Sequence, residues 1–130
     1  MNQVYIQGTL RHVPRYDVIP STSDAIVRGI LDTEEGAFPI LCCNELACSA
    51  RNKFIKLKKR KLYLAGKLQG GYFKNSFGMY SFFPYLLVTR IAESEKELME
   101  MENEIFTPLQ YKELPFGLQD VEEILQGAWR

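Results

Sequence analysis

The stretch that most constrains the fold is Lys61-Leu-Tyr-Leu-Ala-Gly-Lys-Leu-Gln-Gly-Gly-Tyr-Phe-Lys74. Leu62, Leu64, Gly66 and Leu68 recur with a period of two, and Tyr63, Ala65, Lys67 and Gln69 fall between them. An extended chain sorts its side chains this way, one face to a core and one to water. The stretch ends in Tyr72-Phe-Lys74, and Asn75-Ser-Phe-Gly78 supplies a turn before a further apolar run. The expectation is a half-buried strand that runs out into an exposed aromatic hairpin.

A strand needs neighbours, and the sequence supplies them. Asn2-Gln-Val-Tyr-Ile-Gln-Gly-Thr-Leu10 alternates Val4, Ile6 and Leu10 with polar residues, and Gly8 interrupts the inward set where a barrel strand would bend. Residues 11–24 hold two prolines and a Ser/Thr/Asp cluster, which predicts a loop. Ala25–Leu31 is rich in β-branched residues, Asp32–Gly36 is a short polar turn, and Phe38–Cys43 is a third strand that Pro39 confines to an edge or to its first residues. From Asn44 to Leu57 the period changes: Leu46, Ala47, Ala50, Phe54 and Leu57 fit helical spacing, with Asn44 as the expected cap. Gly78–Ile91 reads as a long fifth strand in which Pro84 demands a bulge or a free edge.

Five strands with a short helix between the third and fourth is the plan of a five-stranded OB-fold barrel, a mainly all-β class. After Ile91 the character switches. Residues 92–106 predict an acidic helix with Leu98, Met101, Ile105 and Phe106 as its apolar stripe, Thr107–Gly117 is a linker, and Leu118–Gly127 is a last short amphipathic helix. The expected division is a body of residues 1–91 and an acidic helical extension of residues 92–130.

Charge follows the same division. Residues 1–90 carry 13 Lys+Arg against 6 Asp+Glu, whereas residues 91–130 carry 3 against 10. Seven of the eleven residues Arg51–Lys61 are basic. A basic body suits a polyanion, and an acidic extension suits repulsion of that ligand or recruitment of a protein. No apolar run approaches the ~20 residues that span a bilayer, and the first residues lack a basic, apolar leader, so an intracellular location is expected.

Cys42, Cys43 and Cys48 are odd in number, and adjacent Cys42 and Cys43 point to opposite faces of a strand. With the lone His12 they fall short of a metal set, and no nucleophile–base pair or phosphate-cradling loop is present. The expectation is a binding protein, not an enzyme, with no catalytic residue, cofactor or metal.

The ordering of motifs resembles the bacterial single-stranded DNA-binding protein (SSB) family and its shorter primosomal relatives. The likeness covers roughly residues 2–91. Asn2–Leu10 is similar to the family's opening strand, Asn-x-hydrophobic-x-hydrophobic-x-Gly-x-Leu, and Lys61–Leu68 to its fourth strand, hydrophobic-x-hydrophobic-x-Gly-x-Leu. The resemblance implies a base-stacking role for Phe73, beside Tyr72, and assembly as a dimer or tetramer. It also implies a place in DNA replication, repair and recombination, in a bacterial cytoplasm at the nucleoid or in an organelle of bacterial descent. The third-strand positions where the family often carries Trp and Phe are Ala37 or Phe38 and Cys43 here, which implies a thinner stacking platform.

Single-stranded nucleic acid presents phosphates and unstacked base faces, so its binder needs cations along a groove and aromatics to stack on. The candidate cations are Arg11, Arg15, Arg28, Lys53, Lys67 and Lys74, and the candidate stacking rings are Tyr5, Tyr63, Tyr72, Phe73 and Phe77. Two alternatives stand beside DNA. One is single-stranded RNA, since stacking and phosphate contacts do not read the 2′-hydroxyl. The other is a protein-interaction adaptor that uses Phe82, Phe83 and Tyr85 with the C-terminal helices.

Overall fold

Gly8 crosses the chain at Asp32 so closely that a Cβ on it would overlap the Asp32 carbonyl. Glycine is required there because this crossing closes the sheet into a barrel. The computed structural model describes residues 2–128. Its elements in order are β1 (Val4–Leu10), β2 (Arg15–Val18), β3 (Ala25–Thr33), β4 (Gly36–Cys43), α1 (Glu45–Lys56), β5 (Leu62–Lys74), β6 (Tyr80–Ala92), α2 (Glu95–Glu100) and α3 (Leu118–Ala128). The sheet runs β1-β5-β6-β4-β3-β2, and β1 also pairs with β3 through Thr9↔Asp32 and Leu10↔Leu31. Five strands therefore close on themselves, with β2 added outside on β3.

All pairings are antiparallel except β4 with β6. That parallel contact is short, Ile40↔Leu86 and Leu41↔Leu87. Pro39 lies just before it and Pro84 two residues before Leu86, so neither proline is asked to donate to the β4–β6 ladder. The β5–β6 register shifts between Ala65 and Gly66. At Gly66 a Cβ would overlap the Leu87 carbonyl, so the bulge needs glycine.

Inside the barrel Leu31, Ile40, Leu62, Leu64, Leu86 and Val88 are fully buried, and α1 closes one end with Leu46, Ala47, Ala50 and Phe54. A second cluster lies on the outer face, where Ile26, Leu41, Phe83, Tyr85 and Leu87 meet Phe116, Val121 and Ile124 of the C-terminal segment. Cys42 belongs to the inner cluster and Cys43 to the outer, as alternation along β4 requires. Burial first, then the nearby Asp24 and Glu45 carboxylates, pushes the Cys43 thiol up to about 12. The thiol stays protonated and inert.

Four local expectations are corrected. Residues 11–24 are not loop throughout: β2 forms between Pro14 and Pro20, pairing Arg15↔Arg28 through Val18↔Ala25. Both prolines sit outside it, so neither breaks its ladder. Asn44 does not cap α1 with its side chain. With φ at 50° it turns away, accepts from the Ala25 N–H (3.1 Å), and donates to the carbonyl of Thr107 (2.7 Å).

The acidic helix expected over residues 92–106 is confined to Glu95–Glu100. Ser94 Oγ caps its start by accepting from the Glu97 N–H, and Met101 leaves it in an extended conformation. Arg90 Nη1 donates to the carbonyls of Leu98 (3.0 Å) and Met101 (3.1 Å), and the Glu104 N–H donates to the Thr89 carbonyl (2.9 Å). The barrel thus offers these backbone groups partners that a continued helix would have to supply. The expected apolar stripe dissolves accordingly: Leu98 is buried and Phe106 partly so, but Ile105 is 94% exposed. No helix among the described residues is long and apolar enough to cross a membrane.

Candidate nucleic-acid interface

The far halves of β5 and β6 pair only with each other and project as a ribbon, Gly70↔Pro84 to Lys74↔Tyr80. Its tip is built by Asn75. Asn75 Oδ1 accepts from the N–H groups of Phe77 and Met79 (both 2.9 Å), and the Asn75 N–H donates to the Met79 carbonyl (2.8 Å). Gly78 completes the turn at φ 80°, a value that L side chains rarely adopt.

Because Tyr72 pairs with Phe82 and Lys74 with Tyr80, these four side chains share one face. Tyr72 and Tyr80 are 72% and 70% exposed, and Phe77 at the tip 87%. Tyr72 and Phe82 stand edge to face with ring centroids 5.6 Å apart, and Lys74 Nζ lies 6.0 Å from the Tyr80 ring centroid. Met79 and Phe82 are also exposed. The result is an open aromatic ladder with one cation.

The opposite face of the ribbon is occupied. Phe73 is half-buried with its ring edge-on to Phe83 (6.3 Å), and Phe116 packs against Phe83 (5.1 Å) and Tyr85 (5.4 Å). Phe82, Phe83 and Tyr85 therefore do not form one surface: Phe82 faces water, while Phe83 and Tyr85 are buried under the C-terminal segment.

The remaining candidates are distributed over the barrel. Tyr5 and Tyr63 lie on neighbouring strands β1 and β5. Tyr5 Oη accepts from Arg90 Nη2 (3.2 Å), with the guanidinium 5.4 Å from the ring centroid, and Tyr63 packs beside Leu98 under Lys61. Lys67 is exposed and lines a groove of about 900 Å³ between β5–β6 and residues 103–115, together with Gln69, Tyr85, Thr89, Tyr111 and Lys112. Arg11 is paired with Asp32 at 2.7 Å, which raises its pKa further. Lys53 stands on the last turn of α1.

Arg15 and Arg28 are register partners on β2 and β3, and both reach Asp120 of α3, at 3.5 Å and 2.9 Å. The structure thus brings Tyr72, Lys74 and Phe77 together, and Arg15 with Arg28, but places these two groups on different parts of the molecule. Sequence reading missed Tyr80 and Met79. The signal was available: a turn at Asn75–Gly78 between alternating strands sets Lys74 opposite Tyr80 and Tyr72 opposite Phe82.

The C-terminal segment is held by carboxylates of the barrel. Asp24 accepts from Thr22 Oγ1 (2.7 Å) and from the N–H groups of Gln110 (2.9 Å) and Tyr111 (3.1 Å). Glu45 accepts from both the N–H and the hydroxyl of Thr107 (2.7 Å each). These bonds hold both carboxyls below their usual titration range, the Thr22 hydroxyl foremost at Asp24 and the Thr107 N–H foremost at Glu45.

Among solved structures the chain resembles the SSB domain of a Synechococcus sp. protein. The TM-score is 0.55 at 16% identity, over 70% of this chain and 93% of that one. It also resembles a deletion mutant of the single-stranded DNA binding protein from Thermus aquaticus, with TM-score 0.55 and 23% identity over 72% of this chain. The fold is that of an SSB-type OB barrel. The match spans 41% of the Thermus chain. No protein-family model and no curated protein matches the sequence.

OB folds take oligonucleotides on the face of their second and third strands and on the loops after strands one and four. In this barrel those strands are β3 and β4, and those loops are residues 11–24 and the Asn75–Met79 turn. The turn is open, whereas α3 lies over the strand face.

Proposed function

We propose that this protein binds single-stranded DNA with little sequence preference, through the open face of the β5–β6 ribbon. The observation behind this reading is the ladder of Tyr72, Tyr80 and Phe82 with Phe77 at the tip and Lys74 beside it, all turned to water. Exposed rings offer stacking surfaces to unstacked bases, at roughly 1–3 kcal/mol per base. Duplex DNA keeps its base faces covered, so the same ladder discriminates against it. Lys74, Lys67 and the basic run on and after α1 supply phosphate contacts that read no sequence.

In this reading residues 1–91 are the binding body and residues 92–130 an extension to it. Assembly as a dimer or tetramer and a role in replication, repair or recombination belong to the same proposal and rest on the fold likeness. RNA in place of DNA is the second reading, since neither rings nor lysines sense a 2′-hydroxyl. The test is fluorescence anisotropy with labelled oligo-dT, oligo-U and duplex DNA in parallel. Tight oligo-dT binding with weak duplex binding is the expected result, and equal binding of single strand and duplex overturns it.

A further inference from the structure

The seven basic residues of Arg51–Lys61 gather at the end of the barrel that α1 closes. Lys53 and Lys56 stand in the last turn of α1, where cations offset the helix dipole. Lys58, Lys59, Arg60 and Lys61 lie beyond that turn, all exposed, so the dipole does not account for them.

The backbone is strained to hold them. Lys59 has φ 69°, in the left-handed region, where the Arg60 N–H closes the turn onto the Leu57 carbonyl (3.0 Å). Glycine adopts that conformation without a Cβ penalty. A lysine in its place keeps four consecutive cations, whose mutual repulsion brings the fold no benefit. Strain of this kind points to use by a ligand. Among the described residues the run forms one ion pair, Arg60 with Glu93 at 3.5 Å, and both side chains are largely exposed. Elsewhere on the barrel Arg11 is engaged by Asp32, and Arg15 and Arg28 by Asp120.

The run offers charge without open rings. The Arg51 guanidinium covers the Tyr16 ring at 5.0 Å, and Lys61 Nζ lies 5.8 Å from the Tyr63 centroid. The ribbon is the reverse, with Tyr72, Phe77 and Tyr80 open and Lys74 as its cation. Unstacked bases find no surface on the run, whereas a duplex, whose base faces are already covered, needs none. A duplex also presents one phosphate charge per ~1.7 Å of its axis, a dense target for clustered lysines. β5 leaves the run at Leu62 and reaches the ribbon at Lys74. At the usual strand rise the two ends lie up to about 40 Å apart.

We propose that Lys56, Lys58, Lys59, Arg60 and Lys61 bind the phosphates of duplex DNA flanking the strand held by the ribbon, so that the protein seats at single-strand–duplex junctions. The site rests on the proposed function, because the ribbon supplies the tether. By itself the run holds a duplex weakly, on the order of 10⁻⁴ M, as sequence-independent contacts do. Once the ribbon is occupied, a short tether presents the duplex at about millimolar concentration. The ratio of these two values is a gain of roughly tenfold.

The test uses the full chain and three fluorescein-labelled probes in anisotropy titrations: an oligo-dT tail, the same tail joined to a DNA hairpin, and the blunt hairpin. The tailed hairpin is expected to bind roughly tenfold more tightly than the tail, and the blunt hairpin more weakly than either. Its plot of log K against log salt should be steeper than the tail's by about 2 to 3, the worth of three duplex phosphates. In Lys56→Gln/Lys58→Gln/Lys59→Gly the affinity ratio of tailed hairpin to tail should fall to about one and the slope difference should vanish. The ratio is the readout, whatever each affinity does separately. Tyr72→Ala should weaken tail and tailed hairpin together and keep the ratio. Lys58→Gln/Lys59→Gly provides a smaller version of the same drop if the triple variant melts early.

A ratio near one in the intact protein, with the tail bound, overturns the inference and leaves the ribbon reading standing. A tenfold ratio that survives the triple variant overturns it as well, because the duplex is then held elsewhere. Absence of tail binding is the separate failure of the functional reading, and the junction site falls with it.

Discussion

Phe116, from the C-terminal segment, stands edge-on to Phe83 of β6 at 5.1 Å between ring centroids, and both rings are buried. This contact anchors the C-terminal segment to the outside of the barrel. Phe116→Ala should cost about 2–4 kcal/mol, as a large buried ring is deleted where the surroundings relax only in part. Urea denaturation checks the value. Removal of residues 94–130 goes further and bares Ile26, Leu41, Phe83 and Leu87 as one apolar patch. The truncated protein is expected to aggregate, which light scattering reads directly.

Tyr72→Ala and Phe82→Ala should each weaken oligo-dT binding by about 1–3 kcal/mol, the range for one base–aromatic stack. Their stability should change by no more than about 0.5 kcal/mol, since both rings are exposed. Phe73→Ala is expected to behave differently, lowering the melting temperature because its half-buried ring packs on Phe83. Melting curves and anisotropy on the three variants separate stacking rings from packing rings.

The affinity of the intact protein for oligo-dT should fall with salt at a log–log slope of about −3, equivalent to four or so single-strand phosphates. Anisotropy titrations across a salt series measure it. A slope near zero would remove the phosphate contacts from the binding mode.

Acid should loosen the C-terminal segment. Asp24 and Glu45 both titrate below their ordinary values in the folded protein. Groups held down in this way contribute stability that is complete above the unfolded carboxyl pKa of about 4 and is lost as pH falls through the folded values. Thermal stability should therefore be level from neutral pH to about 5 and decline below about 4. Asp24→Asn should lower stability at neutral pH and flatten that decline, in melts followed by circular dichroism.

Arg90→Ala should destabilise by about 2–4 kcal/mol, because it leaves the Leu98 and Met101 carbonyls without the donor that ends α2 and removes the cation over Tyr5. Denaturation of Arg90→Ala beside Tyr5→Phe checks this. The second change keeps the ring and removes only its hydroxyl, and should cost about 1 kcal/mol or less.

Alternation in Val4–Leu10, Leu62–Leu68 and the run to Ile91, with helical spacing from Leu46 to Leu57, was sufficient to read five barrel strands and the helix between the third and fourth. Such periods survive into the structure because they record which side of an element faces the core, and a core residue has no second option. Gly8 was legible as a bend for the same reason: a barrel must close, and a side chain there would meet Asp32. The aromatic hairpin was legible because an Asn-to-Gly turn between alternating strands sets its own register.

Contacts distant in sequence decided the rest. The helical propensity of residues 101–106 yields to Arg90 and Thr89, which satisfy that backbone from another element. Arg28 and Asp120 lie 92 residues apart and meet only because α3 settles on β3–β4. The choice of Phe82 for water and Phe83 for burial was equally beyond local pattern. Alternation says that neighbouring rings take opposite faces, but which face the C-terminal segment covers depends on the tertiary position of Phe116, Val121 and Ile124.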